Sequence, residues 1–244
     1  MANLHYTPNM TKKRLFSFLA LVVISTTVFG QKLDISLWNS GINYNRYSDH
    51  NSDLIQEGIE PTAVLMGDSI TDVWINNHPE FFEENHLVDR GISGETTGQM
   101  LLRFREDVIN LNPKVVAILA GINDIAENTG PIEIEKVFGN ITSMAELALA
   151  NDIKVVLCKL VPSNRFPWRE RIVPTEKVRV LNQMIEDYAN DNRIVLVDYF
   201  TPMKDDNRGL RSDLGSDGVH PNTKGYQIME PLLLEGIHKA LNEN

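Results

Sequence analysis

Five residues of the types that acyl transfer needs stand in this chain, Ser69, Gly94 and Asn123 just past apolar runs and Asp217 and His220 just before the last helical segment. A serine hydroxyl is a weak nucleophile until an adjacent base takes its proton. A histidine can do that, and a carboxylate can orient the imidazole and stabilise its charged form. Asp217 and His220 lie three apart in "SDGVHPN". In a turn entering a helix, that spacing can put both side chains on one side, with one ring nitrogen toward Asp217 and the other toward Ser69. The oxyanion that develops on attack needs preorganised donors. The backbone N–H groups of Ser69 and Gly94 and the side-chain amide of Asn123 would supply three. Each residue alone has a plainer reading. Ser69 could cap a helix, Gly94 could serve a turn, and Asn123 could close an Asx-turn or cap a helix. His220 could be a surface histidine and Asp217 a turn residue. Their ordered placement at the ends of the apolar runs and before the last helix is what carries the catalytic reading.

The elements that must position them are legible as a repeating pattern. Apolar, β-branched runs recur at 62–67, 86–91, 114–121, 153–161 and 193–199. They lack a clean two-residue alternation, as strands buried on both faces do. Helical segments separate them. "TTGQMLLRFREDVINL" places Met100, Leu101, Phe104, Val108 and Ile109 on one side, and "PIEIEKVFGNITSMAELALAND" opens with Pro131 and acidic residues. "PTEKVRVLNQMIEDYANDN" and "PNTKGYQIMEPLLLEGIHKALNEN" follow suit, with Pro231 expected to kink or interrupt the last. Alternating strands and helices predict a doubly wound α/β sandwich with right-handed crossovers. Ligands in such folds gather at the carboxyl ends of the strands.

"GDSIT", "RGISGET", "GINDI" and "SDGVHP" together resemble the four sequence blocks of the SGNH hydrolases, the GDSL esterase/lipase family. The resemblance spans Gly67 to Pro221, and Ile70 stands where the family name has leucine. It implies a three-layer α/β/α sandwich with a mostly parallel five-stranded sheet, flavodoxin-like, and a serine esterase mechanism. By block, Ser69 corresponds to the nucleophile, His220 to the general base and Asp217 to its orienting acid. Gly94 and Asn123 correspond to the oxyanion donors beside the Ser69 amide. Members include acetylesterases on sugars, lysophospholipases, thioesterases and lipases, so the family leaves the substrate open.

Other chemistries fit poorly. The sequence has no G-x-S-x-G elbow, no phosphate loop and no G-x-G-x-x-G. The single cysteine, Cys158, lies in an apolar run and reads as core. Six histidines are scattered without a metal-ligand pair, so metal-independent, cofactor-free chemistry is expected. "VPSNRFPWRERIVP" could wall the site, with Trp168 as an aromatic platform for a sugar or acyl group. Trp74, five residues past Ser69, could line the pocket or pack on the first helix. The absence of a long apolar lid favours short-acyl esters, acetyl above all, on a carbohydrate or small molecule. A lysophospholipase- or thioesterase-type acylhydrolase is the alternative. A catalytically silent glycan-binding module would have no need of all five residues.

The N-terminal stretch, residues 1–30, reads as an extension and signal peptide. Lys12, Lys13 and Arg14 precede an apolar run from Leu15 to about Ile24. The run is short for a membrane span, and a cut before Gln31 would leave residues 31–244 as one hydrolase domain, secreted or periplasmic. Removing those three basic residues takes the formal net charge from −10 to −13. So acidic a chain repels nucleic acid and anionic lipid at long range, leaving small-molecule or glycan esters as expected partners.

Overall fold

Strands that are apolar along their whole length need both faces covered. The structure, a computed structural model that describes residues 43–242, covers both. The expected signal peptide and its expected cleavage site lie outside the described residues. Helix α1 (Ser48–Glu57) precedes strand β1 (Ala63–Gly67). Three short helices follow, α2 (Ser69–Asp72), α3 (Trp74–Asn77) and α4 (Pro79–Glu84), and then β2 (Leu87–Gly91). Helix α5 (Thr97–Asp107) and a 3-10 turn (Ile109–Leu111) lead to β3 (Val115–Leu119). Helices α6 (Ile122–Ile125) and α7 (Ile134–Leu149) lead to β4 (Lys154–Lys159). Helix α8 (Thr175–Asn192) then leads to β5 (Val195–Asp198), and α9 (Phe200–Met203) and α10 (Thr223–Asn242) complete the described chain.

The five strands form one sheet in the order β2-β1-β3-β4-β5, and every neighbouring pair is parallel. The strand order reverses at β1, so the crevice at its carboxyl end, beside β3, is where such a sheet offers a ligand site. Alternate residues of each strand feed two cores. Val64, Met66, Val116, Ile118, Val155 and Leu157 pack under α5, α7 and α8. Ala63, Leu65, Val115, Ala117, Cys158 and Val197 pack under α2–α4 and α10. This is the expected three-layer sandwich.

Three local expectations are corrected. Helix α7 begins at Ile134, so Pro131 lies outside it. Helix α5 stops at Asp107, which leaves Val108 and Ile109 in the following turn. Helix α10 runs uninterrupted through Pro231. A proline removes the donor for the carbonyl four residues back, here Gln227. Both Pro231 and Gln227 are exposed, so water can satisfy that carbonyl. Cys158 is buried, as expected, and burial pushes its thiol up to about 12 despite a hydrogen bond with Tyr199. A thiol in that state has no nucleophilic role.

Candidate active site

Ser69 owes its position to a sharp change of direction at the end of β1. Gly67 ends the strand, and Asp68 caps α2 by accepting from the Ile70 N–H at 3.0 Å. Because Asp68 caps, Ser69 does not, and its hydroxyl is left for another partner. Burial pushes the Asp68 carboxyl up to about 7, opposed by the Ile70 N–H and by the charge of His220. Gly91, at the end of β2, is needed for close approach: a Cβ there would lie 2.2 Å from the backbone nitrogen of Asp72. Tyr47 also donates its hydroxyl to the Gly91 carbonyl.

The partner of Ser69 arrives from the far end of the chain. His220 Nε2 lies 2.8 Å from Ser69 Oγ, and His220 Nδ1 lies 2.6 Å from Asp217 Oδ2. The other carboxylate oxygen of Asp217 accepts from the backbone N–H groups of Val219 and His220, each at 2.8 Å. Burial works against ionisation of Asp217, but these bonds outweigh it and hold its pKa below the usual carboxylate range. Asp217 is therefore a fixed anion whose free edge faces the imidazole.

Two more loops complete the site. Gly94 follows β2 in a left-handed conformation, φ +84°, which favours glycine. Asp72 holds that turn by accepting from the Ser93 N–H at 3.1 Å and the Ser93 hydroxyl at 2.6 Å. Asn123 sits on α6 just after β3, with Nδ2 3.0 Å from the Glu95 carbonyl. Next to it, Asp124 accepts from the Thr97 N–H and hydroxyl at 2.9 and 2.7 Å, which ties α6 to the start of α5. Ser69, Gly94, Asn123 and His220 line one cleft of about 440 Å³ together with Val73, Ser93, Asn128 and Trp168.

Trp168 is 45% exposed on the wall of this cleft, its ring 6.1 Å from that of His220 and backed by buried Phe166. Trp74 is a correction: it is 2% exposed and does not line the cleft. It stacks on Phe81 and Tyr226, and its indole N–H reaches Glu230 at 3.3 Å. Its position on a helix that packs against α10 turns it inward. Among the described residues, no group of three or more His, Cys, Asp or Glu stands ready to hold a metal.

One supporting residue escaped sequence reasoning. Arg103, fully buried on α5, bonds Glu95 at 2.6 Å, Asp107 at 2.8 Å and the carbonyls of Arg90 and Gly67 at 2.9 and 3.3 Å. It joins the ends of β1 and β2 to the loop that follows Gly94. The signal was a cation beside Met100 and Phe104 on an otherwise apolar helix face. Burial holds the Glu95 carboxyl above its ordinary value, against the lowering effect of Arg103. Arg103→Met strands Glu95 and Asp107 without their counter-charge. The expected loss is about 3–5 kcal/mol, read from the midpoint of urea unfolding. A midpoint equal to wild type would show that the buried pairs contribute nothing.

A parallel sheet with a hydrogen-bonded serine, imidazole and carboxylate at its carboxyl edge is the architecture of an acyl hydrolase. The chain belongs to the GDSL-like lipase/acylhydrolase family, whose sequence profile matches residues 65–228, and it is a carboxylic ester hydrolase. It is similar to a GDSL-like lipase from Bacteroides thetaiotaomicron VPI-5482, with 48% identity and a TM-score of 0.78 over 82% of this chain and 98% of that one. Esterase TesA of Pseudomonas aeruginosa is 24% identical over 201 residues, 77% of this chain and 91% of the relative. Platelet-activating factor acetylhydrolase IB subunit alpha2 of Homo sapiens is 29% identical over 117 residues, 44% of this chain and 47% of the relative. The match thus spans about half the length of that acetylhydrolase. Among the described residues, no helix is long and apolar enough to cross a membrane.

Proposed function

We propose that the enzyme removes acetyl or another short acyl group from a carbohydrate or small-molecule ester, through an acyl-enzyme on Ser69. The observation that carries this reading is the continuous hydrogen-bonded row from Ser69 through His220 to Asp217 at the floor of a solvent-accessible cleft. His220 Nε2 takes the Ser69 proton as Oγ attacks the carbonyl carbon. The negative charge that forms on the carbonyl oxygen is met by the N–H groups of Ser69 and Gly94 and the amide of Asn123. As the intermediate collapses, His220 returns the proton to the departing alcohol oxygen. Water then attacks the acyl-serine by the same route and releases the acid. Asp217 holds the ring tautomer throughout.

The preference for short acyl groups rests on the lining of the cleft. Of its eight lining residues only Val73 and Trp168 are apolar. A decanoyl chain would find only two apolar side chains, Val73 and Trp168, to lie against. Trp168 offers a flat face on which a sugar ring can stack. The acetylhydrolase among the relatives is consistent with a small acyl group. With p-nitrophenyl acetate, butyrate and decanoate, kcat/KM is expected to be highest for acetate. A maximum at decanoate would overturn the short-acyl reading and favour a lysophospholipase- or thioesterase-type role. A parallel screen of acylated sugars, lysolipids and thioesters identifies the alcohol portion. We also propose export, with a cut before Gln31. An intact mass matching residues 31–244 supports this, and retention of residues 1–30 on the mature protein overturns it.

A further inference from the structure

Resting on that catalytic reading of Gly94 and Asn123, we infer that Asn128 is a positioning residue. Together with the Glu95 carbonyl, it fixes which end of the Asn123 carboxamide faces the cleft. Asn128 Nδ2 lies 2.9 Å from Asn123 Oδ1 and 3.1 Å from the Gly94 carbonyl oxygen. Its backbone N–H also donates to the Asn123 carbonyl at 3.0 Å, which closes the loop between the two residues. Glu127, immediately before it, is in the left-handed region at φ +57°, a turn that brings Asn128 back toward Asn123.

The two ends of a carboxamide are alike in shape and opposite in polarity. Asn123 can aid an oxyanion only if its NH₂ end faces the reacting carbonyl; the oxygen end would repel it. Shape alone cannot choose between them. Two backbone carbonyls, which cannot flip, make the choice. Gly94 C=O accepts only, so the end of Asn128 beside it is the NH₂ end. That same NH₂ faces Asn123, so the near end of Asn123 is its oxygen. The NH₂ of Asn123 therefore lies at the other end, where Glu95 C=O takes one hydrogen. The second hydrogen remains for the cleft that Asn123 lines.

The test is a double-mutant cycle on p-nitrophenyl acetate with wild type, Asn123→Ala, Asn128→Ala and the double variant. Loss of one oxyanion donor in Asn123→Ala should lower kcat about 10²–10³-fold with KM little changed. Asn128→Ala should lower kcat about 10–10²-fold, again with little effect on KM, because a disordered amide is a partial loss of the same donor. With Asn123 gone there is nothing left to orient, so the double variant should turn over within about threefold of Asn123→Ala. A merely structural Asn128 would instead multiply the two losses. That result, or an Asn128→Ala kcat within about twofold of wild type, overturns the inference. If Asn128→Ala does not fold, Asn128→Leu keeps the size and removes the donor without adding a charge, and the cycle is read the same way. Ser69→Ala is run alongside. If it turns over like wild type, the catalytic reading fails and the inference with it. If it is inactive while the cycle multiplies, only the role of Asn128 is overturned.

Discussion

Ser69→Ala is expected to lower kcat on p-nitrophenyl acetate by about 10⁶-fold while the protein melts at the wild-type temperature. The size of the loss follows from what Oγ does. It is the atom that would form the acyl bond, and it sits 2.8 Å from the nitrogen that would take its proton. Without it, His220 and the oxyanion donors can act only on water, which is held less well. The unchanged melt follows from the local structure. Asp68, not Ser69, caps α2, and Ser69 is only partly buried. The deleted hydroxyl therefore supports no backbone group, and the effect on stability should be within about 0.5 kcal/mol. Turnover within tenfold of wild type would remove Ser69 from the mechanism.

Asp217→Asn is expected to cost about 10⁴-fold in kcat, and the reason is a tautomer rather than a lost charge. In wild type, one carboxylate oxygen accepts from the Val219 and His220 N–H groups, and the other accepts from His220 Nδ1. The two backbone donors can be met only by an oxygen, so the new amide must keep its oxygen on that side. Its NH₂ then faces Nδ1, which must become an acceptor. The ring proton moves to Nε2 and points at Ser69. An imidazole in that state cannot take the serine proton, although every heavy atom is in place. Assaying kcat for purified Asp217→Asn checks this, with a thermal melt to confirm folding. A loss of less than about tenfold would mean that Asp217 does not set the tautomer.

The strands, their parallel arrangement and the five candidate catalytic residues were legible because each is written locally. A run such as "VVAIL" is apolar at every position because both of its faces are covered, and the two cores on either side of the sheet show that cover. Ser69, Gly94, Asn123, Asp217 and His220 were legible through four short blocks, three just past strands and one just before α10. Helix boundaries were less legible. Pro231 breaks a rule of local propensity, but its lost hydrogen bond falls on the exposed side of α10, where breaking it costs little.

Trp74 and Trp168 show the other limit. Trp74 follows Ser69 by five residues and Trp168 lies in the segment after β4, and the sequence offered both as candidates for the pocket lining. Tertiary packing places Trp74 between Phe81 and Tyr226 and leaves Trp168 exposed on the cleft wall. The same holds for Arg103 and Asn128, whose partners include groups on other strands and loops. By itself the sequence determined the α/β class, the order of elements and the identity of the groups at the strand ends, since periodicity and short blocks are local properties. Only the tertiary structure decided which tryptophan meets the cleft, which cation ties the strand ends together and which way the amide of Asn123 points. Those outcomes depend on contacts between segments far apart in the chain, and hydrogen-bond polarity has no signature in the spacing of residues.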